Sequence, residues 1–244
     1  MNKSSKSDPH SPRQNQLLAA LPAAVYQRLL PYLELVALPL GEMLFPSPGK
    51  MRYAYFPTTS ILTLSYAVDK SGSAKAWQVG REGAVGLASL SGPSRNDQAE
   101  VQVAGHAFRV AAHALRAEFS RGGALQQLLL RYLHACIMQL SQLGLCNQHH
   151  TVDQRLDRFL LRAFDRAPQN RLLITQQEAA DLLGVRRVGV TEAVGRLQAL
   201  GIVRCGRGHI TLLNRRKLEA RVCACYAAIK KEFESLLPRK SASG

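Results

Sequence analysis

Apolar positions change their spacing several times along the chain. Leu17, Leu18, Leu21, Tyr26, Leu29, Leu30 and Leu33 recur at helical intervals, and Pro22 and Pro31 cut that face into short pieces. After Glu34 the pattern turns strand-like, in the runs Val36–Leu40, Met51–Phe56, Ile61–Val68, Lys75–Val79, Glu100–Val103 and Ala107–Ala111. Turn clusters such as Ser47-Pro48-Gly49 and Asp69-Lys70-Ser71-Gly72 separate them. Short strands punctuated in this way predict a small antiparallel sandwich or barrel. The polar, Ser-rich Met1–Gln14 stretch predicts a disordered tail.

The longest helical pattern runs from Gly123 to Asn147 and has two apolar stripes. One holds Leu125, Leu129, Tyr132, Cys136 and Leu143; beside it lie Leu130, Leu133, Ile137 and Leu140. A helix apolar on two sides needs two surfaces to cover it. Its own sandwich supplies one, and a second copy of the same helix supplies the other if the protein is a two-fold dimer. Burial within a single domain is the competing reading. Leu125, Leu129, Tyr132, Cys136, Leu140 and Leu143 are the candidate dimer-helix residues. A further helix over Thr151–Arg166 buries Leu156, Phe159, Leu160 and Phe164. A turn follows at Ala167-Pro168-Gln169-Asn170, and a hinge is expected between Cys146 and Thr151. A closing helix over Leu218–Leu237 precedes a basic tail.

Between these helices, Thr175–Val203 reads as a helix-turn-helix. Thr175 and Glu178 form a capping box ahead of a short helix with Ala179, Leu182 and Leu183 on its apolar side. Gly184 suits the left-handed residue that stops such a helix. The next helix buries Val190, Val194 and Leu197 and presents Arg186, Arg187, Thr191 and Glu192 near its leading end. That is the arrangement of a recognition helix entering a major groove. An ordinary helical hairpin with solvated arginines is the bland alternative. Two short apolar runs, one after Gly201 and one at Ile210–Leu213, flank the Gly-rich basic turn Cys205–His209 and predict a hairpin wing.

Gly184-Val185-Arg186-Arg187, Val190-Thr191, and Gly201-Ile202-Val203 followed by Arg207-Gly208-His209-Ile210-Thr211 resemble the DNA-binding end of the Crp/Fnr family of bacterial transcription regulators. The order of parts from about Leu17 to Phe233 is similar too. The resemblance implies an α+β chain with an N-terminal antiparallel β jelly-roll sensor domain (17–121), a long dimerisation helix (122–148) and a C-terminal winged helix-turn-helix (149–237). Residues 1–16 and 238–244 are read as tails. It further implies a cytoplasmic bacterial homodimer on two DNA half-sites, in contact with RNA polymerase.

Arg187 is placed to fork onto a guanine edge, and the resemblance puts it in a base-reading slot. Val188 stands where relatives commonly have a glutamate, and Glu192 where they have an arginine. Glu192 suits either a cytosine amine or an ion pair with Arg196 one turn on. Thr175, Arg186, Gly189, Thr191, Arg196, Arg204, Arg207 and His209 are candidates for the phosphate backbone. Gly189 costs a helix about 1 kcal/mol relative to alanine, which a close approach to DNA would explain. Gly80, Glu82, Gly83, Gly86, Leu87 and Arg95 mark the Gly-rich turn that resembles the phosphate cassette of cyclic-nucleotide relatives. The cassette's glutamate slot holds Leu87 and its arginine slot falls on Asp97, with Arg95 nearby. A carboxylate facing a phosphate is repulsive, so a purely structural turn is favoured.

Composition narrows the partners. The 244 residues carry a formal net charge of +15, and Arg171–Arg221 alone holds ten Lys and Arg against four Asp and Glu. Such a field favours a polyanion, nucleic acid before membrane. No apolar run is long enough to cross a bilayer, and no hydrophobic signal stretch is seen. The cysteines (Cys136, Cys146, Cys205, Cys223, Cys225) are odd in number and scattered, which fits a reducing compartment. Cys223 and Cys225, two apart on a predicted helix, should point different ways, so no metal or cofactor is expected. His149 and His150 adjoin the hinge, as a helix-end pair or as a pH- or metal-sensitive element. No Walker-type loop, nucleophile elbow or ligand-spaced His–carboxylate pair suggests an enzyme. A sequence-specific regulator and a general DNA-coating protein remain as the two DNA-binding readings.

Overall fold

The strand runs of the N-terminal half close into two three-stranded sheets. In the computed structural model, which describes residues 11–45, 51–69, 72–90, 97–167 and 169–236, these strands are β1 (Glu34–Leu38), β2 (Tyr53–Pro57), β3 (Ile61–Asp69), β4 (Gly72–Val79), β5 (Asp97–Val103) and β6 (Gly105–Ala111). One sheet has the order β1-β6-β2 and the other β4-β3-β5. β6 is antiparallel to both neighbours, with Glu34 opposite Arg109 and Tyr53 opposite Ala111. Every predicted strand is present, with no end shifted by more than three residues. Phe56, Leu62, Val101, Val110 and Leu115 are buried in this part of the chain.

Ahead of the sheets lie α1 (Gln16–Ala20) and α2 (Ala23–Leu29). Pro22 sits at the N-cap of α2, and Pro31 lies in a 3-10 turn over Leu30–Tyr32, so both prolines divide the helical face as expected. Part of the stretch expected to be a tail is structured. Pro12–Gln14 form a 3-10 turn, while residues 1–10 lie outside the described part. Asn15 is fully buried; its side chain caps α1 and donates to the carbonyls of Pro57 and Gly83 at 2.9 and 2.8 Å. A buried amide with all its bonds made anchors a chain that polar composition alone would leave in solvent. A helix with no sequence signature, α3 (Ala112–Ser120), follows β6; Ala111 provides no side-chain cap.

Contacts group the chain into two units, 1–65 with 78–132 and 236–244, and 66–77 with 133–235. The second contains α5 (Val152–Arg166), β7 (Arg171–Leu173), α6 (Gln176–Leu183), α7 (Arg187–Ala199), β8 (Val203–Gly206) and β9 (His209–Leu212). α4 (Ala124–His149) precedes them as one continuous helix. Leu156, Leu160, Leu183, Val194, Leu197 and Ile202 share one core under the helix-turn-helix and wing. Each such side chain contributes roughly 1.5–3 kcal/mol on burial.

β7 pairs with β9 to give the sheet order β7-β9-β8, a third strand that the apolar pattern did not announce. The single closing helix of the sequence reading is instead two. α8 (Arg215–Glu219) and α9 (Ala224–Glu234) are broken where Arg221 pairs with buried Asp157 at 3.0 Å and Cys223 turns extended to cap α9. Among the described residues, no helix is long and apolar enough to cross a membrane.

Candidate nucleic-acid interface

The capping box forms as its spacing implies. The Thr175 amide donates to Glu178 at 2.7 Å, and the Glu178 amide donates to the Thr175 hydroxyl at 3.1 Å, which fixes where α6 begins. Gly184 ends α6 with φ +62°, and the Val185 amide reaches back to the Ala180 carbonyl at 3.1 Å. A side chain at Gly184 would be strained, so glycine sets the sharp angle at which α7 leaves.

α7 then divides cleanly. Val190, Ala193, Val194 and Leu197 are buried, while Arg186, Arg187, Thr191, Glu192 and Arg196 are exposed together with Val188, which is 60% exposed. Arg186 is the N-cap and makes no side-chain cap; the Gly189 amide donates to the Arg186 carbonyl at 3.1 Å. The Thr191 hydroxyl lies 2.7 Å from Gln176 Oε1 and 3.1 Å from the Arg187 carbonyl, tying the two helices at their outer edge.

Two expectations about this helix need correction. Arg196 pairs with Asp153 at the start of α5, at 2.8 and 2.9 Å, and not with Glu192. That hydrogen bond holds the guanidinium pKa above its ordinary value. Residue 153 lies in the first turn of α5, where the helix dipole favours a carboxylate, and it reaches Arg196 with both oxygens. Gly189 faces inward, not toward a ligand. A Cβ built there would meet Val152 at 3.7 and 3.9 Å, an ordinary contact, so close approach to DNA is not what keeps this position small.

Arg204 and Arg207 are exposed on the wing. His209 is half-buried, with its ring folded over Gly206 and Nδ1 3.3 Å from the Arg207 carbonyl, so it shapes the turn as well as facing the surface. A cleft of about 410 Å³ opens between the start of α6 and the wing, lined by Thr175, Gln176, Arg187, Gly206 and His209 among others. The structure therefore brings Thr175, Arg187 and His209 to one place. Cys205 also lines it, and burial pushes that thiol's pKa up.

The Gly-rich turn in the sandwich is filled by its own chain. Tyr132, 3% exposed, places its hydroxyl against Gly83; it accepts from the Ala84 amide at 3.1 Å and donates to the Ala84 carbonyl at 3.0 Å. Gly80, Gly83, Gly86 and Leu87 are buried, and Glu82 accepts from the Gly80 amide at 3.3 Å. Arg95 lies outside the described residues.

On α4, the stripe Leu125, Leu129, Tyr132 and Cys136 is buried within the chain, and Leu143 is half-buried. The four buried residues are not free to meet a second subunit, which corrects the candidate dimer set. The exposed stripe is the other one: Leu130, Leu133, Ile137 and Leu140, with Ile137 60% exposed. Of the candidates first singled out, Leu140 belongs to it.

One grouping was missed. Cys146, His150, Cys223 and Cys225 converge so that their donor atoms all lie within 4.8 Å of one another. The expectation that Cys223 and Cys225 diverge fails because Cys223 is an extended N-cap outside α9. The available signal was the four-residue spacing of Cys146 and His150, set against Cys-x-Cys.

Residues 154–221 match the family model of the Crp-like helix-turn-helix domain. No protein of curated function matches the chain in sequence. Among solved structures, the chain is similar to FixK2 from Bradyrhizobium japonicum, with 21% identity, TM-score 0.67, and coverage of 79% of this chain and 98% of that one. It is also similar to TTHA1359, a CRP/FNR-family transcriptional regulator from Thermus thermophilus, with 22% identity, TM-score 0.61, and coverage of 77% and 97%. A third is the c-di-GMP responsive global regulator CLP of Xanthomonas campestris, with 18% identity, TM-score 0.57, and coverage of 79% and 100%. At these identities the likeness establishes the fold.

Proposed function

We propose that this chain, which has the Crp/Fnr fold and a Crp-like helix-turn-helix domain at residues 154–221, is a homodimeric, sequence-specific DNA-binding transcription regulator. The observation that carries the reading is the division of α7, with a four-residue buried face locking it to the core and Arg186, Arg187, Val188, Thr191 and Glu192 exposed on the other side. Arg187 and Val188, with Glu192 one turn on, read base edges. Arg186, Thr191 and the wing residues Arg204, Arg207 and His209 hold phosphates, and the start of α7, which has no side-chain cap, favours the same anions. Arg196 is offset by Asp153 and contributes little.

The exposed Leu130–Leu133–Ile137–Leu140 spacing suits a helix pairing with its own copy, which places two recognition helices on one duplex. Contact with RNA polymerase is part of the same reading, and no catalytic step is assigned. The Gly-rich turn is structural: Tyr132 bonds both the amide and the carbonyl of Ala84, and Leu87 offers a ribose hydroxyl no acceptor.

Selection of bound sequences from random duplex DNA tests the proposal. Enrichment of a two-fold-related motif, bound at least ~10³ times more tightly than random DNA at the same salt, is expected. A specific-to-random ratio near one would return the protein to the DNA-coating class.

A further inference from the structure

We propose that Cys146, His150, Cys223 and Cys225 bind one zinc ion, which ties the start of α9 to the end of α4. All four lie in the 133–235 part of the chain, and the site does not depend on DNA binding. Cys146 and His150 are one turn apart, so they share a face. Cys223, extended at φ −69° and ψ 160°, and Cys225, the second residue of α9, reach the same point from the other side.

The spacing is that of a metal cage. Zinc–sulfur bonds of about 2.3 Å and zinc–nitrogen bonds of about 2.0–2.1 Å in a tetrahedron demand S···S near ~3.8 Å and S···N near ~3.5 Å. Cys146 Sγ lies 3.8 Å from Cys223 Sγ; His150 Nδ1 lies 3.4 Å from Cys146 Sγ and 3.5 Å from Cys225 Sγ. Three buried thiols could pack as small hydrophobes, but packing alone gives no reason for an imidazole nitrogen between two of them.

The surroundings match a ligand shell as well. Gln142 Nε2 donates to Cys225 Sγ at 3.1 Å, a bond that steadies a ligating thiolate. A zinc ion with three thiolates and a neutral imidazole carries a net charge of −1. Burial pushes the Cys146 thiol up, to about 12, and the positive charge of Arg158, which is 7% exposed and has no hydrogen-bond partner for its Nε among the described residues, opposes that rise. A buried cation of this kind needs a counter-charge, and the filled site supplies it. Three soft sulfurs and one imidazole select zinc over magnesium or calcium, and four protein ligands make a closed, structural site without an open position for chemistry.

The test uses the full chain, kept reduced, stripped with chelator and titrated first with cobalt(II) and then with zinc. One cobalt per chain is expected, with thiolate-to-cobalt charge transfer and the visible bands of a tetrahedral ion, both bleached by one equivalent of zinc. Zinc should also raise the melting temperature. Cys225→Ser and His150→Ala should each weaken cobalt binding at least ~100-fold, since even loss of an outer-shell partner costs 10–100-fold. Cys205→Ser, in the wing, should bind as the parent does. Cobalt bound without thiolate charge transfer overturns the proposal, as does unaltered binding in both His150→Ala and Cys225→Ser; using two ligands keeps the test decisive if one variant fails to fold.

Discussion

In the proposed reading Arg187 reads sequence and Arg204 holds the DNA backbone. Both are exposed, but Arg187 opens α7 whereas Arg204 lies on wing strand β8. Arg187→Ala should cost about 1–3 kcal/mol on the selected site and relax preference at one base pair. Arg204→Ala should weaken binding to all sequences alike and lower the salt slope by about 1. Binding isotherms on specific and random duplexes at several salt concentrations check both, and equal losses on the two DNAs for both variants would reverse the roles. Gly189→Ala should raise stability by up to about 1 kcal/mol without loss of DNA binding, because the new methyl meets only Val152 at van der Waals distance. Denaturant titration reads the first effect, and a drop in affinity would put Gly189 back at the DNA. Much of this scale was legible in the sequence: the cap at Thr175, the stop at Gly184 and the arginine pair all follow from residue types at fixed offsets. The Arg196–Asp153 pair was not, because 43 residues separate partners that meet only when α5 packs on α7.

Among the elements, α4 shows what a periodic pattern leaves open. Its two apolar stripes were visible in the periodicity, but which one meets the sandwich depends on how the helix is rolled, and periodicity does not fix a roll. Tyr132 decides it by placing its hydroxyl on the backbone of Ala84. Tyr132→Phe should therefore destabilise the protein by about 1–3 kcal/mol, the cost of unsatisfied buried backbone groups, as read by denaturant midpoint. Ile137→Glu lies on the exposed stripe, so it should leave folding intact and convert dimer to monomer in analytical ultracentrifugation. A dimer that survives that change would exclude this stripe as the interface. The break between α8 and α9 was hidden for a related reason. Leu218, Val222, Tyr226 and Ile229 keep helical spacing through it, and only the Arg221–Asp157 pair and the extended Cys223 interrupt the backbone.

For the whole molecule, charge and order of parts carried most of the reading. A net charge of +15 and a run of helix, six strands and long helix before a winged module are both plain in the sequence. The edge strand β7 and the filling of the Gly-rich turn were not, since each depends on a partner far along the chain. If that turn is structural, millimolar cyclic nucleotide should leave the melting temperature unchanged, whereas a ligand at 100 times its Kd would add about 2.7 kcal/mol. In the proposed complex two copies of α7 enter one duplex as a symmetric pair, and a hydroxyl-radical footprint on a selected site would show it. Two protected patches related by two-fold symmetry are expected, with centres about one helical turn (~34 Å) apart, and both should be lost in Ile137→Glu. A single patch, or uniform protection along the duplex, would contradict it.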